Sequence, residues 1–236
     1  MQKRTKIIAV SIVAGALVLG ATAAIAGPVV YRDLVVGEAD AAPSVTAAAA
    51  PAASEGSTAI DASDLTGSWI VSDGSFAGYR VDEVLNGTDV TVTGRTDDVS
   101  GTLEVDGLTL TAAEFTVDVE SIATDSGNRD DHFRSTAMRA DEFPTATFVL
   151  TEAVTTSPAP VAGEVQTIQA TGDLTLAGVA QQVTVELEAV LNGEAGQVAG
   201  SIPITFSDFG VEAPNLGFVS VEPEGFVEFS LVIVPA

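Results

Sequence analysis

The sequence predicts an all-β fold of eight to ten antiparallel strands whose sheet closes on itself or stacks on a second sheet, preceded by an N-terminal transmembrane helix. Three observations carry this. From Gly67 onward apolar and polar residues alternate with a period of two, turn signals recur about every ten residues in the same region, and a charge-free run from Ile7 to Tyr31 stands apart. Strands with one dry and one wet face, and hardly any helix to cover them, bury their dry faces against one another.

In chain order, the first element is "IIAVSIVAGALVLGATAAIAGPVVY", residues 7–31, with Lys3, Arg4 and Lys6 before it and Asp33, Glu38 and Asp40 after it. As a helix rising about 1.5 Å per residue it spans roughly 37 Å, more than the roughly 30 Å hydrocarbon core of a bilayer. The basic flank assigns residues 1–31 to a cytoplasmic-membrane anchor, single-pass, with the C-terminal domain outside the cytoplasm. The alternative is a signal peptide cleaved near Ala26, after Ala24-Ile25-Ala26, releasing the remainder. The apolar run is longer than the roughly 7 to 15 residues of a signal core, which favours the anchor.

Residues 32–66 are expected to be a flexible extracytoplasmic linker. The stretch "AAPSVTAAAAPAASEGSTAIDASD" (41–64) is small and proline-dotted, with Ile60 its one bulky apolar residue, too little to offset the entropy of ordering it.

The domain proper is expected over 67–236. Strands are read near 68–72, 76–84, 89–95, 99–119 (two), 145–154, 165–175, 182–191, 196–206 and 217–234. "TDVTVTGRT" sets Val90 and Val92 against Thr91 and Thr93; "EFTVDVESI" sets Phe115, Val117 and Val119 against Thr116 and Asp118. "QQVTVELEAVL" and "FVEFSLVIV" repeat the pattern. Asn86-Gly87, Asp106-Gly107 and Asn192-Gly193 supply the positive φ angles of tight turns. Pro203 within "SIPITF" lacks a ladder donor, so its strand is at an edge or bulged there. Only 128–141, "NRDDHFRSTAMRAD", breaks the rhythm. Asn128 reads as an N-cap, Asp130 and Asp131 sit in the first turn where the dipole favours anions, and Arg139 lies near the end. This is a short helical segment lying across one opening of the sheet structure.

Composition narrows the function. There is no cysteine, which removes disulfides, thiolate metal sites and thiol nucleophiles. From Gly67 on, five arginines stand against 27 acids, a formal charge near −22 that repels nucleic acid and anionic membrane surfaces. The single histidine, His132, has neither a GxSxG elbow nor an HExxH pair to work with, so no catalytic residue and no metal site is assigned. Arg129 and Arg134 either pair with Asp125, Asp130, Asp131 or Asp141, or face a pocket mouth where a guanidinium grips a polar head group. The aromatics lie mostly on strands and are either filled core or the lining of a cavity, since an eight-stranded barrel is just wide enough for one slender ligand.

In order and spacing, "GYRVDEVL" (78–85), "VTGRTDDVSGTLEVDG" (92–107), "AAEFTVDVESIATDSGNRDDHFRS" (112–135), "FPTATFVLTE" (143–152), "ATGDLTLAGV" (170–179) and "GSIPITFSDFGVEAP" (200–214) resemble the YceI-like family. The anchor followed by "GPVVY" resembles the membrane-attached actinobacterial members. The resemblance implies an extended, lipocalin-like antiparallel β-barrel of about eight strands with one short helical segment, its apolar channel holding a polyisoprenoid chain or isoprenoid quinone. On that reading the cavity is lined by Tyr79, Val81, Val92, Phe115, Val117, Phe133, Met138, Phe148, Val185, Phe206 and Phe229, with Arg129, His132 and Arg134 at its mouth. No cofactor is expected beyond the bound lipid, and the partners are that lipid, the membrane through residues 7–31 and, if a strand edge is left open, a second copy. Two rival functions remain: a structural or stress-response envelope domain with a filled barrel, and an enzyme acting on a lipid.

Overall fold

The computed structural model describes residues 39–45, 59–85, 87–192, 195–215, 217 and 219–236. The anchor expected at 7–31 lies outside the described residues; among those described, no helix is long and apolar enough to cross a membrane.

After a one-turn helix, α1 (Ala62–Leu65), come β1 (Gly67–Leu85), β2 (Thr88–Thr96), β3 (Val99–Asp106) and β4 (Thr109–Asp118). Helix α2 (Gly127–His132) runs into a π turn (Phe133–Ala137), followed by β5 (Thr145–Leu150), β6 (Val154–Thr155), β7 (Gln166–Leu176), β8 (Val179–Asn192), β9 (Ala195–Thr205), a 3-10 turn (Phe206–Phe209) and β10 (Val219–Pro235). All pairings are antiparallel. The order β10-β9-β8-β7-β5-β4-β3-β1 closes on itself through β1–β10, which makes an eight-stranded barrel; β2 is added beside the distal half of β1 and β6 beside β4.

The barrel has two distinct ends. The near end carries α1, the β3–β4 turn at Gly107 and the C-terminus. The far end carries α2 with its π turn, the β7–β8 turn and the 206–214 segment.

Two expected strands, 68–72 and 76–84, are one. Between Ser72 and Phe76 the register against β10 shifts, and Gly74 takes φ 89°. Ser75 stitches the irregularity: its hydroxyl donates to the Ser72 carbonyl at 2.7 Å and accepts from the Val232 amide at 2.9 Å. A bulge of this kind sharpens the bend that closing a barrel requires. Pro203 sits where β9 has β10 as its only partner, because pairing with β8 ends at Gly200. The turn at Asp106-Gly107 forms as read, with Gly107 at φ 62°. The two-residue β7–β8 turn uses Ala177 and Gly178, both at positive φ, a turn that no Asn or Asp announces.

Two pieces of the expected linker rest against the barrel. Residues 39–45 lie along the outer wall of the barrel. Arg80 donates to the Asp40 carbonyl, Arg95 donates to the Ala41 carbonyl and pairs with the Asp40 carboxylate at 3.1 Å, and the Val45 amide donates to Glu188 at 3.2 Å. The Val45 side chain is buried against Val190 and Ala199. Residues 59–66 lie over the near end, where Ile60 donates to the Pro160 carbonyl and Ala59 bridges Val161. Both pieces find partners on distant strands, which composition does not reveal.

Candidate ligand-binding tunnel

The alternation that builds the strands decides what faces inward. On β7, Ile168, Ala170, Leu174 and Leu176 point into the barrel, while Thr167, Gln169 and Asp173 stay exposed outside. Repeated around eight strands, this gives an interior walled by apolar side chains, and it is hollow. One chamber of about 250 Å³ occupies the near half. A second of about 160 Å³ lies beneath α2 in the far half. They share a waist of Ala77, Val117, Ala146, Leu176 and Val227 and so lie end to end along the barrel axis, the two chambers of a tunnel. For scale, a dry apolar cavity of about 150 Å³ already admits benzene.

The lining is hollow for a specific reason. Phe115, Phe148 and Phe229 line the near chamber, and each ring lies across an inward-facing glycine: Gly101, Gly172 and Gly200 respectively. A Cβ at those glycines would stand 2.4, 2.4 and 2.8 Å from the ring. In the far chamber Tyr79 lies over Gly94 and Phe206 over Gly225 in the same way. Aromatic bodies therefore lie flat on the wall, where a neighbour's missing side chain makes room, and leave the axis open.

The structure places most of the sequence-derived candidates on this tunnel. Phe115, Phe148, Val185 and Phe229 line the near chamber, Val117 the waist, and Tyr79, Val81, Phe133, Met138 and Phe206 the far chamber. Val92 is a correction. It pairs with Val81 and is 4% exposed, yet it does not reach the tunnel. The inner face of β2 is covered by the chain before α2: Arg95 pairs with Ala123 through backbone hydrogen bonds, and the Thr124 methyl approaches Gly94.

Of the expected mouth residues, Arg129 and His132 border the far chamber. Arg134 does not. Its guanidinium donates to the carbonyls of Glu120 and Ile122, both at 3.3 Å, and to Asp131, tying the π turn to the chain before α2. Arg129 donates to Glu83 at 3.0 Å and to Asp125, so its charge is already matched. Burial works to lower the Arg129 pKa, but the charges and hydrogen bonds of Glu83 and Asp125 outweigh it and hold the guanidinium above its ordinary value. Tyr79 stacks on Phe133 with ring centroids 4.7 Å apart, and burial pushes its hydroxyl well above the usual tyrosine range, with Arg129 opposing and Asp130 adding to the rise. The helix itself starts at Gly127, with Ser126 rather than Asn128 at the N-cap. Asp130 is buried, and its carboxylate accepts from the Thr124 amide at 2.9 Å and hydroxyl at 2.7 Å, fixing the loop to the helix.

Several lining positions fall outside the sequence-derived set. Trp69, Leu103, Leu174 and Ile202 also line the tunnel and were readable from the same alternation. The waist alanines, Ala77 and Ala146, and the glycines beneath the rings give no such signal, since only strand register shows what they face. Among the described residues no group of three His, Cys, Asp or Glu side chains is placed to hold a metal ion.

A closed antiparallel barrel around an apolar tunnel defines a hollow barrel of the lipocalin-like class, built to enclose rather than to expose. The chain belongs to the YceI-like domain family, whose profile matches residues 69–233. Among solved structures, it is similar to BcnA from Burkholderia cenocepacia, with 26% identity and a TM-score of 0.52 over 65% of this chain and 95% of that one. It is also similar to a polyisoprenoid binding domain from Saccharophagus degradans implicated in plant cell wall breakdown, with 19% identity and a TM-score of 0.58 over 72% of this chain and 99% of that one. A comparison with curated protein sequences finds no match.

Proposed function

We propose that this protein binds a long isoprenoid lipid, a polyprenyl carrier or an isoprenoid quinone, and sequesters or hands it over outside the cytoplasmic membrane. The observation that carries the reading is the tunnel: two apolar chambers joined at a waist of small and aliphatic side chains. Together they fall within the roughly 300–1,000 Å³ typical of ligand pockets. Affinity would come from burial, about 2.5 kcal/mol for each 100 Å² of ligand surface taken from water, with few polar contacts to fix a head group. The Saccharophagus relative, described as polyisoprenoid binding, supports the ligand class. The charge-free run at 7–31 behind three basic residues supports the location.

The chemistry around the far chamber favours carriage over turnover. Glu83, Arg129 and Asp125 are engaged with one another, and no nucleophile is paired with His132 among the described residues.

The test is organic extraction of the full chain purified from its native membranes, followed by mass spectrometry. An isoprenoid recovered in near-stoichiometric amount is expected, and Ala146→Phe at the waist should abolish its recovery while the circular-dichroism spectrum stays that of a β-barrel. Recovery of no lipid from the intact protein, or equal recovery from the blocked variant, overturns the proposal.

A further inference from the structure

We infer that the glycines beneath the lining aromatics set the bore of the tunnel and thereby select a methyl-branched chain over a straight one, with Gly200 and Gly94 the determining positions. This rests on the lipid-binding reading above and goes beyond it by naming what decides which chain fits.

Gly101, Gly172 and Gly200 occupy inward positions between lining residues: Val99 and Leu103, Ala170 and Leu174, Val198 and Ile202. A glycine within a strand costs roughly 0.5–1 kcal/mol relative to alanine, so five of them under five aromatic rings call for a reason. At Gly101 and Gly172 part of the reason is the sheet. A Cβ there would stand 2.6 and 2.5 Å from the backbone carbonyl oxygens of Glu114 and Val149.

Gly200 and Gly94 are different. At Gly200 a Cβ meets the far edge of the Phe229 ring at 2.8 and 3.2 Å, and the nearest backbone atom is an uncrowded 3.4 Å away. At Gly94 the three nearest atoms belong to side chains, the Tyr79 ring at 2.5 and 2.9 Å and the Thr124 methyl at 3.1 Å. Neither glycine has a positive φ. Sheet geometry therefore accepts a side chain at both, and what the absent Cβ provides is room for a ring to lie against the wall.

Phe229 faces the near chamber and Tyr79 the far one, so the pair sets the cross-section in both halves of the tunnel. A side chain added under either ring lifts it toward the axis. The width lost is the width a branch methyl needs, whereas a straight chain still passes.

The experiment compares full-length wild type with Gly200→Ala and Gly200→Val. Two neutral probes of equal backbone length are used, geranylgeraniol, which is methyl-branched, and hexadecanol, which is not. Binding is read from the fluorescence of Trp69, the single tryptophan of the chain and a lining residue of the near chamber. Wild type is expected to prefer the branched alcohol. The preference should fall about threefold in Gly200→Ala and at least tenfold in Gly200→Val, and return when Phe229→Leu is added to Gly200→Val. Thermal unfolding of each variant separates a narrowed tunnel from a lost fold, and the Phe229→Leu rescue distinguishes the two again.

An unchanged preference in both folded Gly200 variants overturns this inference and leaves lipid binding standing. Wild type that binds neither alcohol overturns the carriage reading and this one with it.

Discussion

The two ends of the barrel are closed by different means. The far end is part of the largest core cluster: Val119, Met138, Ala140 and Phe209 join Leu174, Leu176, Val185 and Ile202 in one buried group. Arginines lace it together. Arg129 reaches Glu83 on β1, Arg134 holds the carbonyls of Glu120 and Ile122, and Arg139 donates to the Ala177 carbonyl at 2.9 Å. The near end is covered by α1, a four-residue helix with no buried residue and no side-chain N-cap bond. It is held by the Trp69 indole donating to the Leu65 carbonyl at 3.0 Å, the Gly107 amide donating to Thr66, and the Ile60 amide donating to Pro160. One end is core and the other is cover. A helix this short has no stability of its own, so the near end opens at the cost of a few exposed hydrogen bonds while the far end opens only with the barrel.

The largest test of that contrast is amide exchange. The Val119 amide donates to the Pro144 carbonyl at 2.9 Å and its residue is fully buried, so it should exchange only through global unfolding. The Ile60 amide, donating to Pro160 at 2.8 Å, should exchange at least about a thousandfold faster, given a global stability in the usual range of roughly 5–15 kcal/mol. Comparable protection at the two amides would remove the distinction.

The next test breaks the far end directly. In Arg129→Met the Glu83 carboxylate, 5% exposed, loses its partner at 3.0 Å. Removing one member of a buried pair costs about 3–5 kcal/mol; because Arg129 is 22% exposed and solvent screens part of the effect, about 2–3 kcal/mol is expected from denaturant unfolding. Arg129→Met combined with Glu83→Gln should recover most of it. A double variant no more stable than the single one would show that Arg129 acts through packing instead of charge.

The barrel was legible because each of its strands has one face to the lumen and one to water, the condition under which period two appears in a sequence. Of the eleven positions expected to face inward, ten border the tunnel. Three things were not legible, each for a physical reason. A glycine in a strand reads as a weak position, and only register places Phe229 over Gly200 or Tyr79 over Gly94. Val92 shares the inward parity of Val81, but parity does not tell a wall facing space from a wall covered by another segment. The outer-wall segment 39–45 is held by Arg80 and Arg95 beside Glu228, which is 2% exposed and bonded to Arg80 at 2.6 Å. These partners lie too far apart in the chain for local composition to connect them.

The smallest effect belongs to Tyr79, and it probes the far end alone. Burial raises its hydroxyl pKa above the unfolded value near 10. Below that pH both states keep the proton and nothing is gained or lost. Above it the unfolded chain releases the proton while the folded protein retains it, so the unfolded state binds fewer protons and stability falls as pH rises. Unfolding midpoints measured across this alkaline range should therefore decline in the wild type and decline less in Tyr79→Phe, which keeps the ring stacked on Phe133 over Gly94 but has no proton to release. An identical decline in both proteins would mean that the hydroxyl meets solvent even with α2 in place. The far end would then be as open as the near one.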